Sequence, residues 1–301
     1  MENPREGIGK QNKAAKWIIL GLISTNLFVW LVVSGAWQGH YLEVKFFDVD
    51  QGDAALAQID GDIQILIDGG PDNKVLEKLG QTMPFYDRDI EWMVLSHTDR
   101  DHLTGLLDVI KNYRVRNIIW SGIGDNRAQD KEWERLISEE TARDNAKIIF
   151  AVPGEKVDLG GNPDCQIEIL APAITDRSPS RGQNDLSVAV KLIYGKRSFV
   201  FVGDASSREE SEIKSTIPEL RADVLKVAHH GSKSSANEEF LASLLPAAAV
   251  ISVGAKNSYG HPSPEVLELL AKYDIKTLRT DKNGDIVFRT DGEKLFLSTE
   301  K

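Results

Sequence analysis

Four times in this chain an apolar run of strand length ends directly in aspartate or histidine. IEWMVL (90–95) leads into SHTDRDH, which carries His97, Asp99, Asp101 and His102. FVFV (199–202) leads to Asp204, VLKVA (224–228) to His229, His230, Gly231 and Ser232, and AAAVISV (247–253) to a loop holding His261. Taken singly, each cluster has a plainer reading: a solvated loop with a helix cap for 97–102, a turn residue at Asp204, a loop histidine at His261. Their shared position changes that. Side chains that all follow the C-terminal ends of buried strands can meet at one edge of a sheet.

The rest of the pattern supplies such sheets. YLEVKFFDV, ALAQI and DIQILIDGG read as short strands, with Asp60-Gly61 as the turn of an antiparallel hairpin between the second and third. Strands are expected at 90–96, 115–121, 147–152, 166–171, 187–194, 197–203, 222–228, 247–253, 275–280, 285–289 and 294–298. Helices are expected at 103–112, 127–145, 206–216, 237–245 and 264–272. Strands interleaved with helices in two comparable halves predict a four-layer α/β sandwich. The stretch 172–185 (PAITDRSPSRGQND) reads as a loop.

Before this domain, Trp17 to Trp37 is free of charge, and Arg5, Lys10, Lys13 and Lys16 precede it. A run of roughly 20 apolar residues spans a bilayer, and flanking positive charge favours the cytoplasmic side. The expected organisation is therefore a basic cytoplasmic segment (1–16), a transmembrane anchor (17–37) and an extracytoplasmic domain (41–301). Cleavage at the small residues Ser34-Gly35-Ala36 and secretion is the alternative, although the apolar run exceeds the roughly 7–15 residues of a signal peptide.

Composition narrows the chemistry. With one cysteine, at 165, there is no disulfide framework and no Cys-held zinc, so a metal must be held by imidazole and carboxylate. The formal net charge is −10, and residues 1–40 carry four basic and two acidic groups, which leaves −12 on the remainder. That disfavours a static nucleic-acid binder, which needs a surplus of Lys and Arg. An enzyme with bound cations can still act on an anion. Three His and three Asp suffice for two cations sharing a carboxylate, an arrangement that at about 3.5–4 Å separation activates water and clamps the oxygens of a phosphoryl displacement.

These residues resemble the metallo-β-lactamase superfamily. Its signature H-x-H-x-D-H stands here as H-x-D-x-D-H, with Asp99 in place of the second histidine. That change, with FFDVDQGDA (46–54), LIDGG (66–70), FVGDA (201–205), KVAHHGS (226–232) and YGHP (259–262), is similar to the ComEC-type branch, the hydrolase domains of DNA-uptake competence proteins. The resemblance spans residues 42 to about 290 and implies an αββα sandwich with two divalent ions, zinc or manganese. It further implies that His97 and Asp99 serve one metal, that Asp101 and His102 serve the second, and that Asp204 bridges them. One of His229 and His230 completes the second site, His230 being the expected ligand and His229 the one that faces substrate. Asp68 braces the ligand loop. His229 and His261 are the expected catalytic groups, and Asn184, Ser187 and Ser232 the expected substrate contacts.

Two departures stand out. The wider superfamily has a further histidine before the bridging aspartate; here that region offers only Asn184 and Ser187, so the first metal is expected to be weakly held. Asp50 replaces a glycine common in the branch, and Asp is among the few residues that tolerate a left-handed backbone there. The carboxylate-rich donor set favours harder cations such as Mn²⁺.

The expected function is hydrolysis of phosphodiester bonds, in DNA above all, outside the cytoplasm. Small phosphoesters such as phosphorylcholine esters, or a non-catalytic role in DNA uptake, are the alternatives. With one apolar span the chain carries no pore, so a channel would have to be a separate partner. Arg177, Arg181, Lys191, Lys196, Lys226 and Lys233 lie near the motif segments and could offset the acidic balance locally.

Overall fold

A computed structural model describes residues 16–30, 40–161, 163–172, 182–217 and 220–301. They fall into two compact units, 1–39 and 40–301.

In the first unit a helix, α1, covers residues 16–30. Its large apolar side chains, Trp17, Ile18, Leu22, Ile23, Phe28 and Trp30 among them, are exposed. No helix among the described residues is long and apolar enough to cross a membrane. The expected span 17–37 runs past α1 into residues 31–37, which lie outside the described residues.

The second unit is the expected sandwich. One sheet has eight strands in the order β15-β14-β1-β2-β3-β4-β5-β6, and the other has seven, in the order β13-β12-β11-β10-β9-β8-β7. In the first, β1 (Leu42–Phe46), β2 (Ala55–Ile59) and β3 (Ile63–Ile67) form an antiparallel meander. β4 (Asp89–Val94), β5 (Arg114–Trp120) and β6 (Lys147–Phe150) then run parallel to β3. β14 (Ile286–Thr290) and β15 (Leu295–Thr299) return to this sheet beside β1. In the second sheet β7 (Lys156–Gly160), β8 (Cys165–Ala171), β9 (Ala189–Tyr194) and β10 (Arg197–Phe201) are antiparallel. β11 (Val224–Lys226), β12 (Ala248–Ile251) and β13 (Lys276–Arg279) continue parallel to β10.

Three apolar clusters define the layers. Alternate strand residues such as Leu42, Val44, Phe46, Ile167, Val190 and Phe199 face one another between the sheets. The outer face of the first sheet packs on α2 (Lys74–Thr82), α3 (Arg100–Asn112) and α4 (Ala128–Asp144) through Val75, Leu106, Val109 and Trp133. The outer face of the second packs on α5 (Ser207–Thr216), α6 (Glu238–Leu244) and α7 (Pro264–Lys272) through Ile213, Phe240 and Leu270. A one-turn helix, α8 (Thr280–Asn283), links β13 to β14.

The hairpin forms as expected: Ile59 pairs with Ile63, and both Asp60 and Gly61 take positive φ. Three elements are additional, α2, β7 and α8. The stretch 71–89 carries a single short amphipathic helix with Gly80 inside it, β7 is a largely exposed edge strand ending in Gly160, and α8 is a single turn, so none has a strong periodic signal. β11 is three residues long rather than seven, because the chain turns toward the site after Lys226. In the expected loop, residues 173–181, with Arg177 and Arg181, lie outside the described residues, and Gln183–Leu186 form a 3₁₀ turn.

Candidate metal centre

The parallel strands β3, β4, β10, β11 and β12 deliver their C-terminal ends to one edge of the sandwich. β1 is parallel to β3 through two antiparallel steps, so the loop after it arrives at the same edge. That edge carries Asp53, Asp68, His97, Asp99, Asp101, His102, Asp204, His229, His230 and His261. A cleft of about 160 Å³ opens there, lined by Gln51, Asp99, Asp101, Asp204, His229, His230, Tyr259 and His261.

Close backbone approach holds the first ligand loop. A Cβ on Gly52 would lie 2.5 Å from the Asp101 carbonyl oxygen, which also accepts a hydrogen bond from the Asp53 amide at 3.0 Å. A Cβ on Gly105 in α3 would lie 1.9 Å from the Gly69 carbonyl. Glycine is therefore required at both positions for the loops to meet. Asp50 adopts φ 63° and pairs with Lys74, the left-handed conformation expected for that position.

Each central imidazole is fixed through Nδ1. His102 Nδ1 donates to Asp68 Oδ2 at 2.9 Å, and Asp68 also accepts from the Ser96 amide (2.8 Å) and Ser96 Oγ (2.7 Å). With its proton given to Asp68, Ser96 Oγ accepts from His97 Nδ1 at 3.0 Å. His230 Nδ1 donates to the Ser252 carbonyl at 2.9 Å, with Asp53 Oδ1 3.2 Å away. This leaves Nε2 of all three aimed inward. His102 Nε2 lies 3.2 Å from Asp204 Oδ1, His97 Nε2 3.9 Å from Asp204 Oδ2, and His230 Nε2 3.1 Å from Asp101 Oδ2.

The donor set fits divalent cations. Among the described residues, His97 Nε2, His102 Nε2 and Asp204 Oδ1 are buried and make no hydrogen bond, although they converge. Buried polar atoms rarely stay unpartnered without a reason. Ligand atoms lie within 4.8 Å of one another in the sets His97–His102–Asp204, Asp101–His102–His230, Asp53–Asp204–His230 and Asp53–Asp68–His102. The carboxyl-to-imidazole bond at His102 is the usual outer support of a metal-ligating histidine.

The electrostatics show the same demand for positive charge. Burial works against ionisation of Asp204, yet His102, His230 and His97 hold its carboxyl well below the usual range. Burial likewise opposes a charged imidazole at His102, but Asp204 and Asp68 raise it well above its ordinary value. At His230, Asp204, Asp53 and Asp101 overcome burial and push the imidazole up to about 10.

The remaining expected residues take distinct positions. Asp99 Oδ2 is 3.5 Å from His97 Nε2, while Oδ1 accepts from Arg127 Nη1 at 2.7 Å. His97 and Arg127 together lower the Asp99 carboxyl against burial. His229 is half-exposed, its Nε2 3.7 Å from Asp204 Oδ2 and its Nδ1 3.2 Å from Asn184 Nδ2, which brings Asn184 to the cleft edge. His229, His230 and Gly231 take φ of 48°, 52° and 79° in succession. Such strain in non-glycine residues clusters at functional sites. The turn is held by the His229 amide on the Gly203 carbonyl and the Ser232 amide on the His229 carbonyl. Burial lowers His261, which also faces His229 and His230. Two expected substrate contacts are not on the cleft wall: Ser187 is fully buried, and Ser232 Oγ pairs with Ser234 Oγ at 3.0 Å.

Sequence reasoning did not single out Asp53, Lys226 as its partner, Arg127 or Tyr259. Asp53 Oδ2 accepts from the buried Lys226 Nζ at 2.5 Å beneath the centre. It stands in the loop between β1 and β2, inside FFDVDQGDA, a segment that marked the resemblance without giving any one of its residues a role.

The family model of the metallo-beta-lactamase superfamily matches residues 47–255. ComE operon protein 3 of Bacillus subtilis is 33% identical over 202 residues, which are 67% of this chain and 25% of that protein. Recombination protein 2 of Haemophilus influenzae is 28% identical over 258 residues, 81% of this chain and 28% of that protein. Competence protein ComA of Neisseria gonorrhoeae is 28% identical over 203 residues, 67% of this chain and 25% of its own. The chain thus spans about a quarter of the length of these relatives. Among solved structures, Igni18, a metallo hydrolase from Ignicoccus hospitalis, aligns with TM-score 0.51 at 15% identity over 82% of this chain and 98% of that one. Zn(2+)-bound PqqB from Methylobacterium extorquens aligns with TM-score 0.50 at 12% identity over 76% and 85%. At these identities the likeness concerns the fold alone.

Proposed function

The chain belongs to the metallo-β-lactamase superfamily, and from that premise we propose that it is a two-metal hydrolase of phosphodiester bonds, with DNA as substrate. The observation that carries the reading is the set of converging, unpartnered ligand atoms His97 Nε2, His102 Nε2 and Asp204 Oδ1 beside an open cleft rich in carboxylates. In this reading His97, Asp99, Asp101, His102, Asp204 and His230 would hold the ions. Bound divalent ions supply Lewis acidity and an activated water for in-line attack at phosphorus.

The chain's own groups do the rest. Asp68, Ser96 and Ser252 fix the ring orientations. His229 and His261 face the cleft and offer N–H groups to a phosphate oxygen or to the leaving oxygen. The names of two relatives speak of recombination and competence, which supports nucleic acid as the substrate class. The acidic balance is the observation that favours the second reading, a small phosphoester such as a phosphorylcholine ester, since a long polyanion is repelled away from the ions. A non-catalytic DNA-uptake role differs from both in needing no hydrolysis.

The exposed apolar α1, the charge-free run through Trp37 and the basic flank support a membrane anchor with the domain outside the cytoplasm. Protease added to intact cells stripped of their wall should digest residues 41–301; full protection would overturn the topology.

The deciding experiment is hydrolysis by the full chain of linear DNA, RNA, a bis-aryl phosphate and a phosphorylcholine ester, each with Mn²⁺ or Zn²⁺. DNA cleavage is expected, with Mn²⁺ at least as effective as Zn²⁺ because of the oxygen donors. The His97→Ala/Asp204→Ala variant should abolish it, and full activity in that variant would end the proposal. Cleavage of the choline ester alone would select the second reading.

A further inference from the structure

On one side of the cleft three rings form a ladder leading away from Asp204. His229 Nε2 is 3.7 Å from Asp204 Oδ2, the His261 ring lies 5.8 Å from His229, and the Tyr259 ring lies 5.7 Å from His261 at 14° to its plane. Tyr259 is 70% exposed. The loop carrying it is nonetheless tightly fastened. Asn257 Nδ2 donates to the carbonyls of Gly254 and His261, both at 2.9 Å, and Asn257 Oδ1 accepts from the His261 amide at 3.0 Å. The Gly254 amide is anchored in turn on Gln51 Oε1, and the Ser263 amide on the Gly231 carbonyl. A large aromatic ring thus stands largely in water at the mouth of the cleft, on a fastened backbone and against the ring of His261.

We propose that Tyr259, backed by His261, is the nucleobase platform of this cleft and stacks the base flanking the scissile phosphodiester. The inference rests on the nucleic-acid reading and adds to it a subsite. The near-parallel ring pair favours a flat heterocycle that continues the stack. A quaternary ammonium group instead prefers several aromatic faces around it, and among the described residues that line the cleft Tyr259 is the one aromatic carbocycle. Base stacking tolerates every sequence, because every base has a π-face. It also answers the acidic balance, since it draws a strand to the cleft without added positive charge.

The test uses the full chain and single-stranded oligonucleotides carrying 2-aminopurine, measured with and without added Mn²⁺. Stacking should quench the fluorophore at one register, equally in wild type and Tyr259→Trp. Tyr259→Ala should lose the quench, weaken binding about tenfold or more, and raise KM with kcat within about twofold. An abasic nucleotide at that register should weaken wild type by the same factor and leave Tyr259→Ala unaffected. Equal binding and quenching in Tyr259→Ala, or an abasic effect undiminished in it, overturns the platform. The two readings fail separately: an oligonucleotide that binds through Tyr259 and is never cut removes the hydrolysis and leaves the platform standing. One that is cut by wild type and Tyr259→Ala with the same KM removes the platform only. Tyr259-dependent binding of phosphorylcholine without any binding of oligonucleotide overturns the proposal in favour of the ammonium ligand.

Discussion

Two ion pairs flank the centre, one below it and one at its lip. On the floor Lys226 and Asp53 are 4% and 7% exposed; at the rim Arg127 and Asp99 are 38% and 34% exposed. The floor pair joins β11 to the β1–β2 loop and therefore the two sheets, and Lys226 spends a second hydrogen bond on the Val227 carbonyl at 3.0 Å. The rim pair ties the start of α4 to the loop after β4, with Arg127 Nη2 also on the Thr98 carbonyl at 2.8 Å. A charge pair cut off from water is stabilising only while both partners are present, whereas an exposed pair is screened and contributes little. The difference teaches a division of labour: the buried pair ties the two sheets beneath the ligands, and the half-exposed pair holds one carboxylate at the rim of the cleft.

The largest effect is expected on the floor. Lys226→Met removes the ammonium from the buried Asp53 carboxylate and leaves it only the imidazole neighbours His230 and His102, and breaking such a pair typically costs about 3–5 kcal/mol. Urea unfolding should register that loss, and Lys226→Met/Asp53→Asn should recover most of it. Similar stability in the single and double variants would show that the pair is not insulated from water. Next comes Asp68→Asn, which keeps the shape and removes the negative acceptor behind His102. Loss of such an outer partner lowers metal affinity roughly 10–100-fold, and titration of Mn²⁺ or Zn²⁺ into the variant by calorimetry measures it. An unchanged affinity would mean that the Asp68 bond does not orient the ring.

The same division explains what could be read before any coordinates. Ligands at strand ends were legible because a buried strand has an apolar run that stops abruptly, and His97, Asp204 and His230 sit just past such stops, with His102 following in the first turn of α3. The sandwich was legible from the same runs, since β4, β5, β8 and β12 are apolar over most of their length. Asp53 and Lys226 were not. Lys226 is the last residue of β11 and sits within the apolar run VLKVA, where a charge ordinarily marks a solvent face, and only the packing of the second sheet on the first shows that it points to a carboxylate from a distant loop. Tyr259 was visible as a letter in YGHP, but stacking on a ring two residues away depends on the Asn257 clamp, which has no periodic signature. Residues such as Ser187 and Ser232 carried a polar side chain in a motif segment, yet the fold turns the first into the core and the second onto Ser234.

The smallest expected effect, and the sharpest check on the floor-and-rim contrast, is at Arg127. Removing the guanidinium in Arg127→Met leaves Asp99 in contact with water, which solvates the carboxylate in its place, so the stability loss should stay below about 1 kcal/mol. Metal affinity should fall by no more than about tenfold, because two consequences oppose each other. Asp99 loses the partner that fixes Oδ1 while Oδ2 faces His97, but a nearby positive charge that repels the ion is also gone. Screening separates the pairs further. Raising salt from about 0.1 to 1 M shortens the Debye length from roughly 10 to 3 Å, so the gap between wild type and Arg127→Met should close while the gap between wild type and Lys226→Met persists. Unfolding curves at the two salt concentrations decide it, and an Arg127→Met loss as large as that of Lys226→Met would erase the distinction between floor and rim.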